Sequence, residues 1–161
     1  MIYKEVRMQE MIILNSQESD LLRSVYTEEF VNTCEPYYKE HIEQKRMFID
    51  GMCYIGYLWD CLLKKDVVSE YRAKQMLAGR RDVFIMWDIH SCERIFIPDY
   101  RRYPKTSVLC AEEWSDSLMS DLPEDLYLFD ETFRWSVIFT HETNDKGRRY
   151  CLYAEGRGNE Y

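Results

Sequence analysis

No Cys-x-x-Cys pair and no His-x-x-x-His spacing occurs in the 161 residues, and only three histidines are present. Structural zinc normally takes four well-placed ligands, so these absences argue against a zinc domain. The chain also lacks a phosphate-binding P-loop, a G-x-G-x-x-G turn and a G-x-S-x-G elbow. The common nucleotide-binding and hydrolase signatures are therefore missing, and no cofactor is expected. Six cysteines fall in no regular framework, and Met1 to Arg7 lacks the apolar core of a signal peptide. The expectation is a cytoplasmic protein with reduced, mostly buried thiols. The most apolar run, Met47 to Leu63, is interrupted by Asp50 and Asp60, which fits a buried helix better than a membrane span. Repeats, low-complexity tracts and linkers are absent, so residues 1–161 read as a single domain.

What is present in excess is negative charge. There are 29 Asp and Glu against 21 Lys and Arg, giving a net charge of -8. Such a balance argues against direct nucleic-acid binding and against an anionic membrane surface.

The clearest structural signal lies near the C-terminus. Phe133, Trp135, Val137 and Phe139 alternate with Arg134, Ser136, Ile138 and Thr140. Period-two alternation of aromatic and β-branched residues predicts a strand with the Trp135 side facing the core. Asn144-Asp145-Lys146-Gly147 supplies turn residues, and Arg149 to Ala154 reads as the returning strand. Asp125 to Phe129 is a further short strand, turned by Asp130-Glu131-Thr132. The three predict an antiparallel meander.

Upstream, Met11 to Leu14 suits an edge strand and Ser19 to Thr33 an amphipathic helix. Pro36 should stop that helix, and Tyr37 to Lys45 should form a second. Met52, Ile55, Trp59, Leu62 and Leu63 recur at helical spacing and predict a third, most buried helix. Gly56 costs that helix about 1 kcal/mol relative to alanine and implies close approach to a neighbour. A fourth helix is expected from a cap at Asp66, through Val67, Val68, Tyr71 and Met76, to a stop at Gly79. Val83 to Trp87 switches to strand character, with Arg94 to Ile97 as hairpin partner across Ile89-His90-Ser91-Cys92. Ala111 to Asp121 reads as a short helix with Trp114 and Leu118 inward and Glu112 and Glu113 at its start. The expected class is α+β: a helical N-terminal layer on a mostly antiparallel sheet made of a central hairpin and the C-terminal β-meander.

The run Leu122-Pro123-Glu124-Asp125-Leu126-Tyr127-Leu128-Phe129-Asp130, then Phe133-x-Trp135-Ser136, then Thr140-His141-Glu142, resembles a family of small bacterial proteins catalogued as a domain of unknown function. Tyr57-Leu58-Trp59 extends the resemblance upstream. The chain departs from the family in two places. Asp60 stands where the family often has His, and Gly147-Arg148-Arg149-Tyr150 where it often has Gly-Pro-aromatic. The resemblance implies a compact single domain and no established activity.

Three groups of residues carry candidate chemistry. His141 and Glu142 end the core strand, but neighbours on a strand point apart, so they form no acid–base dyad as they stand. The simplest role for His141 is to cap the core edge through a backbone or carboxylate hydrogen bond. Asp88, His90, Cys92 and Glu93 have the types that ligate zinc or act as nucleophile and base, yet a polar hairpin turn explains them more simply. Finally, no Lys or Arg occurs from Thr106 to Thr132, while Glu112, Glu113, Asp116, Asp121, Glu124, Asp125, Asp130 and Glu131 do. The preceding connection is basic, with Arg101, Arg102 and Lys105. A solvated acidic face accounts for the segment, and so does a docking surface for a basic protein, because complementary charge speeds and selects encounter. The expectation is a non-enzymatic immunity- or inhibitor-type protein whose partner is a nuclease or another basic, nucleic-acid-binding protein. Glu112, Glu113, Asp116, Asp121, Glu124 and Asp125 are its expected contact residues. The alternative is a metal-dependent hydrolase or nuclease using His90, His141 and nearby carboxylates.

Overall fold

The computed structural model describes residues 11–49, 51–90 and 105–160. Strand β1 (Met11–Ile13) leads into helix α1 (Ser16–Phe30). Asn15 caps α1, its side-chain oxygen accepting from the Glu18 N–H at 2.8 Å. The helix therefore starts three residues before the expected Ser19. Ser19 is instead buried, donating to the Leu14 carbonyl and accepting from the Val108 N–H. Pro36 opens helix α2 (Pro36–His41), where its fixed φ suits the first turn. That helix ends at His41, whose carbonyl accepts from the Ile55 and Gly56 N–H groups, short of the expected Lys45.

The expected buried helix from Met52 to Leu63 does not form. In its place are a two-stranded hairpin, β2 (Arg46–Phe48) with β3 (Gly51–Cys53), and a 3-10 turn, Leu58–Cys61. Gly51 has φ +116°, which a side chain resists. Gly56 does make the close approach its type suggested. A Cβ there would sit 2.8 Å from both the His41 Cβ and the Tyr37 hydroxyl.

The fourth helix is corrected at its start. Its β-branched residues form strand β4 (Lys65–Val68), and Ser69 rather than Asp66 caps helix α3 (Glu70–Leu77). Gly79, at φ +75°, follows the helix end as expected. Strand β5 (Arg81–Met86) lies between β6 (Leu109–Glu113) and β7 (Leu126–Phe129). The expected hairpin partner Arg94 to Ile97, and the connection carrying Arg101 and Arg102, lie outside the described residues. The expected helix from Ala111 is also corrected. Ala111 to Glu113 belong to β6, and only Asp116–Asp121 turns, as a 3-10 helix. Trp114 and Leu118 are buried as expected.

Strands β8 (Trp135–Thr143) and β9 (Arg149–Glu155) complete the meander read from the sequence. The seven-stranded sheet runs β1-β6-β5-β7-β8-β9-β4, with every pair antiparallel. The class is α+β.

The central strands are buried on both faces. Trp135, Val137 and Phe139 pack with Leu77, Trp114 and Leu128. Ile138 packs on the opposite side with Tyr26, Trp59 and Tyr127. The Ser136 side of β8, expected to be the less apolar face, is therefore a second core. The hydroxyls that β8 sends into it are satisfied: those of Tyr26 and Ser136 lie 2.8 Å apart, and Thr140 donates to the Tyr150 carbonyl at 2.7 Å.

Candidate functional site

His141 sits where β8 leaves its regular pairing. The pairing with β7 places Leu126 opposite Phe139, and the pairing with β9 is irregular between Phe139 and Thr143. Asp125, just before β7, then reaches His141 twice. Its carboxylate accepts from the His141 N–H at 2.7 Å and lies 3.0 and 3.1 Å from the ring Nδ1. The Asp125 side chain is 6% exposed and that of His141 is 40%. This is the carboxylate-held edge histidine expected above. With Nδ1 turned to Asp125, Nε2 is the other ring nitrogen through which His141 can exchange a proton or ligate. Strict alternation placed His141 on the Phe139 side. The irregularity turns its ring toward Tyr57 and Trp59, at centroid distances of 5.5 and 5.8 Å. Glu142 is exposed, and its N–H donates to the Thr140 hydroxyl.

His90 reaches the same aromatic cluster from the other side of the chain. Its ring stacks on Tyr57 at 5.2 Å, and its Nε2 lies 3.1 Å from the Ile55 carbonyl. Tyr57 also stacks on Trp59 at 4.1 Å. Two histidines that are 51 positions apart in the sequence thus meet around one tyrosine.

Sequence reasoning missed the residue that fixes this cluster. Asp88 is fully buried and accepts three hydrogen bonds: from the Tyr127 hydroxyl at 2.6 Å, the Tyr54 hydroxyl at 2.7 Å and the Leu58 N–H at 3.0 Å. The Tyr127 hydroxyl in turn accepts from the Trp59 N–H at 3.0 Å. One carboxylate therefore pins both ends of the loop that carries Tyr57. Burial pushes its pKa up to about 6, against the pull of its three donors. Burial also raises the Tyr54 and Tyr127 hydroxyls well above the usual range. By residue type and position Asp88 reads as part of the polar hairpin turn. The available signal was a lone carboxylate set between Trp87 and Ile89 in an apolar run.

The acidic segment divides. Glu112 and Glu113 project from β6 and pair with Arg81 at 3.3 and 3.8 Å. Asp116 accepts from the Trp114 indole N–H at 3.1 Å. With Gly79 and Ser115 these residues line an open basin of about 540 Å³. Asp121 and Glu124 are exposed outside it. Asp125 is corrected: bound to His141, it is no part of an exposed docking face.

Among the described residues, no three His, Cys, Asp or Glu side chains are grouped so as to hold a metal ion. Cys92 and Glu93 lie outside the described residues. Among the described residues no disulfide joins Cys34, Cys53, Cys61, Cys110 or Cys151, and burial raises the thiols of Cys61 and Cys151. No described helix is long and apolar enough to cross a membrane. No family model, curated protein or solved structure matches the chain.

Proposed function

We propose that this chain is a non-enzymatic interaction protein of the immunity or inhibitor type, docking a basic protein partner such as a nuclease. The observation that supports it is the convergence of Glu112, Glu113 and Asp116 on one open basin. Three carboxylates less the Arg81 guanidinium leave that basin with a net charge of two negatives. A protruding lysine or arginine is the complementary group. The interior polar groups are consistent with this reading, because Asp88 and Asp125 hold the fold together through hydrogen bonds. The resemblance to the small bacterial family belongs to the same proposal, as does a cytoplasmic setting.

The test is a pull-down from the native host followed by association kinetics. Replacing Glu112 and Glu113 together by lysine, with Asp116 kept because it holds the Trp114 indole, should cut the on-rate sharply and leave the melting temperature nearly unchanged, because exposed charges steer encounter more than they stabilise folds. Association should also slow as salt shortens the screening length to about 8 Å at physiological ionic strength. A partner indifferent to both salt and charge reversal removes the docking basin.

The second reading, a metal-dependent hydrolase or nuclease, is favoured by one observation: His90 and His141 pack on the same tyrosine. Elemental mass spectrometry separates the two. Stoichiometric metal, lost on His90→Ala or His141→Ala, supports the enzyme, and metal-free protein in metal-supplemented buffer sinks it.

A further inference from the structure

A cleft of about 1080 Å³ opens at one end of the sheet, against about 540 Å³ for the acidic basin. It is lined by the junction of β4 with α3 and by the end of the β8–β9 hairpin. Both linings are held in shape by their own hydrogen bonds. Arg149 donates to the Thr140 carbonyl at 2.8 Å and to the Glu124 carbonyl, and it pairs with Glu70 at 3.4 Å. Ser69 closes the junction by accepting from the Arg72 N–H at 3.0 Å. The Asn144 side-chain oxygen closes the hairpin end by accepting from the Lys146 and Arg148 N–H groups. Small ligands bind in clefts that are largely formed in advance, with a few polar groups left to meet them.

The groups left over in this cleft are of both kinds. The Arg148 guanidinium, the Glu124 carboxylate and the Thr143 hydroxyl have no hydrogen-bond or ion-pair partner among the described residues. The His141 Nε2 is equally uncommitted, because Asp125 holds only Nδ1. The charged side chains that line the cleft cancel, Arg149 against Glu70 and Arg148 against Glu124. A ligand of either net charge therefore meets no net opposite charge. Two apolar surfaces face the same space, since Tyr71 is 72% and Val67 68% exposed. The Gln75 amide donates to the Tyr71 hydroxyl at 3.0 Å, which sets the ring without covering it.

We infer that this cleft is a binding site for a neutral saccharide. A sugar hydroxyl donates and accepts at once, so adjacent hydroxyls satisfy Arg148, Glu124, Thr143 and His141 without bringing charge. The C–H face of a sugar ring covers an exposed aromatic ring, and Tyr71 supplies one with its polar end already tied. The volume suits a short oligosaccharide rather than a single sugar.

Isothermal titration with neutral trimers (cellotriose, maltotriose and triacetylchitotriose) tests the site. At least one should bind with a Kd below about 1 mM. Tyr71→Ala and Arg148→Ala should each weaken that binding at least about tenfold, with the melting temperature unchanged. Tyr71→Phe keeps the ring and should retain it. A galacturonate trimer and a glucosamine trimer, one anionic and one cationic, should bind no more tightly than the neutral trimer. Failure of every neutral trimer to saturate the protein at about 10 mM overturns the proposal. So does tighter binding of either charged trimer, or a Kd that ignores Tyr71→Ala.

Discussion

The stability of the protein should depend on pH through Asp88 in the direction opposite to most carboxylates. Paired surface carboxylates usually stabilise a fold when ionised. Asp88 is fully buried, and burial lifts its pKa from the ordinary 3.8 to about 6. A folded pKa above the unfolded one means that the native state binds the proton more tightly. The resulting stability is fully present below about pH 3.8 and is lost as pH rises through about 6. The shift is about two units at roughly 1.4 kcal/mol each, so the full effect is about 3 kcal/mol, slightly less of it expressed by pH 4. Asp88→Asn removes the titration and keeps one acceptor oxygen for the loop. Urea unfolding of both proteins at a series of pH values isolates this group, because every other titration is common to the pair. The wild type should gain about 2–3 kcal/mol on the variant between about pH 7 and pH 4. A constant difference would show that the carboxyl titrates alike in both states. A difference of opposite sign would show that the three donors outweigh desolvation, and the cause assigned to the shift would be wrong.

Two further substitutions test the packing. Trp135 is 6% exposed, with the Arg80 guanidinium 4.1 Å over its ring, so Trp135→Ala should cost about 3–5 kcal/mol in denaturant unfolding. An unchanged midpoint would contradict its burial. Gly156→Ala should destabilise by upward of about 3 kcal/mol, because its Cβ would lie 1.8 Å from the Phe133 carbonyl oxygen. Gly158→Ala, which meets nothing nearer than 3.8 Å, should leave the melting temperature within error, and equal effects from the two would refute the contact.

The meander was legible because its instructions are local. Alternation, turn residues and the paired runs around Asn144-Asp145-Lys146-Gly147 all lie within thirty-odd residues and agree with one another. The segment from Arg46 to Leu63 was not legible, because its conformation is set from a distance. Tyr54 and Leu58 bond to Asp88, Trp59 bonds to Tyr127, and Gly56 is held against His41 and Tyr37. Helical spacing of its apolar residues competes with those partners and loses. The same reason hid half of the candidate site. His141 announces itself as the end of a core strand, but Asp125 reads as surface because nothing local shows that the pairing of β7 with β8 brings the two together.

The strand order has a consequence for how the chain can fold. The two edge strands, β1 and β4, come from the N-terminal half, yet β1 pairs with β6 and β4 pairs with β9, the final strand. Lys65 faces Ala154 across a span of almost ninety residues. Such long-range pairing means high contact order and slow folding, since loop closure must precede the contacts that reward it. On the ribosome, Val67 and Val68 must wait for Cys151 and Leu152 to emerge, with their backbone groups unpaired meanwhile. A nascent chain stalled before Arg149 would therefore leave both β4 and β8 without β9, with Val137, Ile138 and Phe139 of β8 incompletely covered, the kind of surface that chaperones engage and that aggregates when they do not.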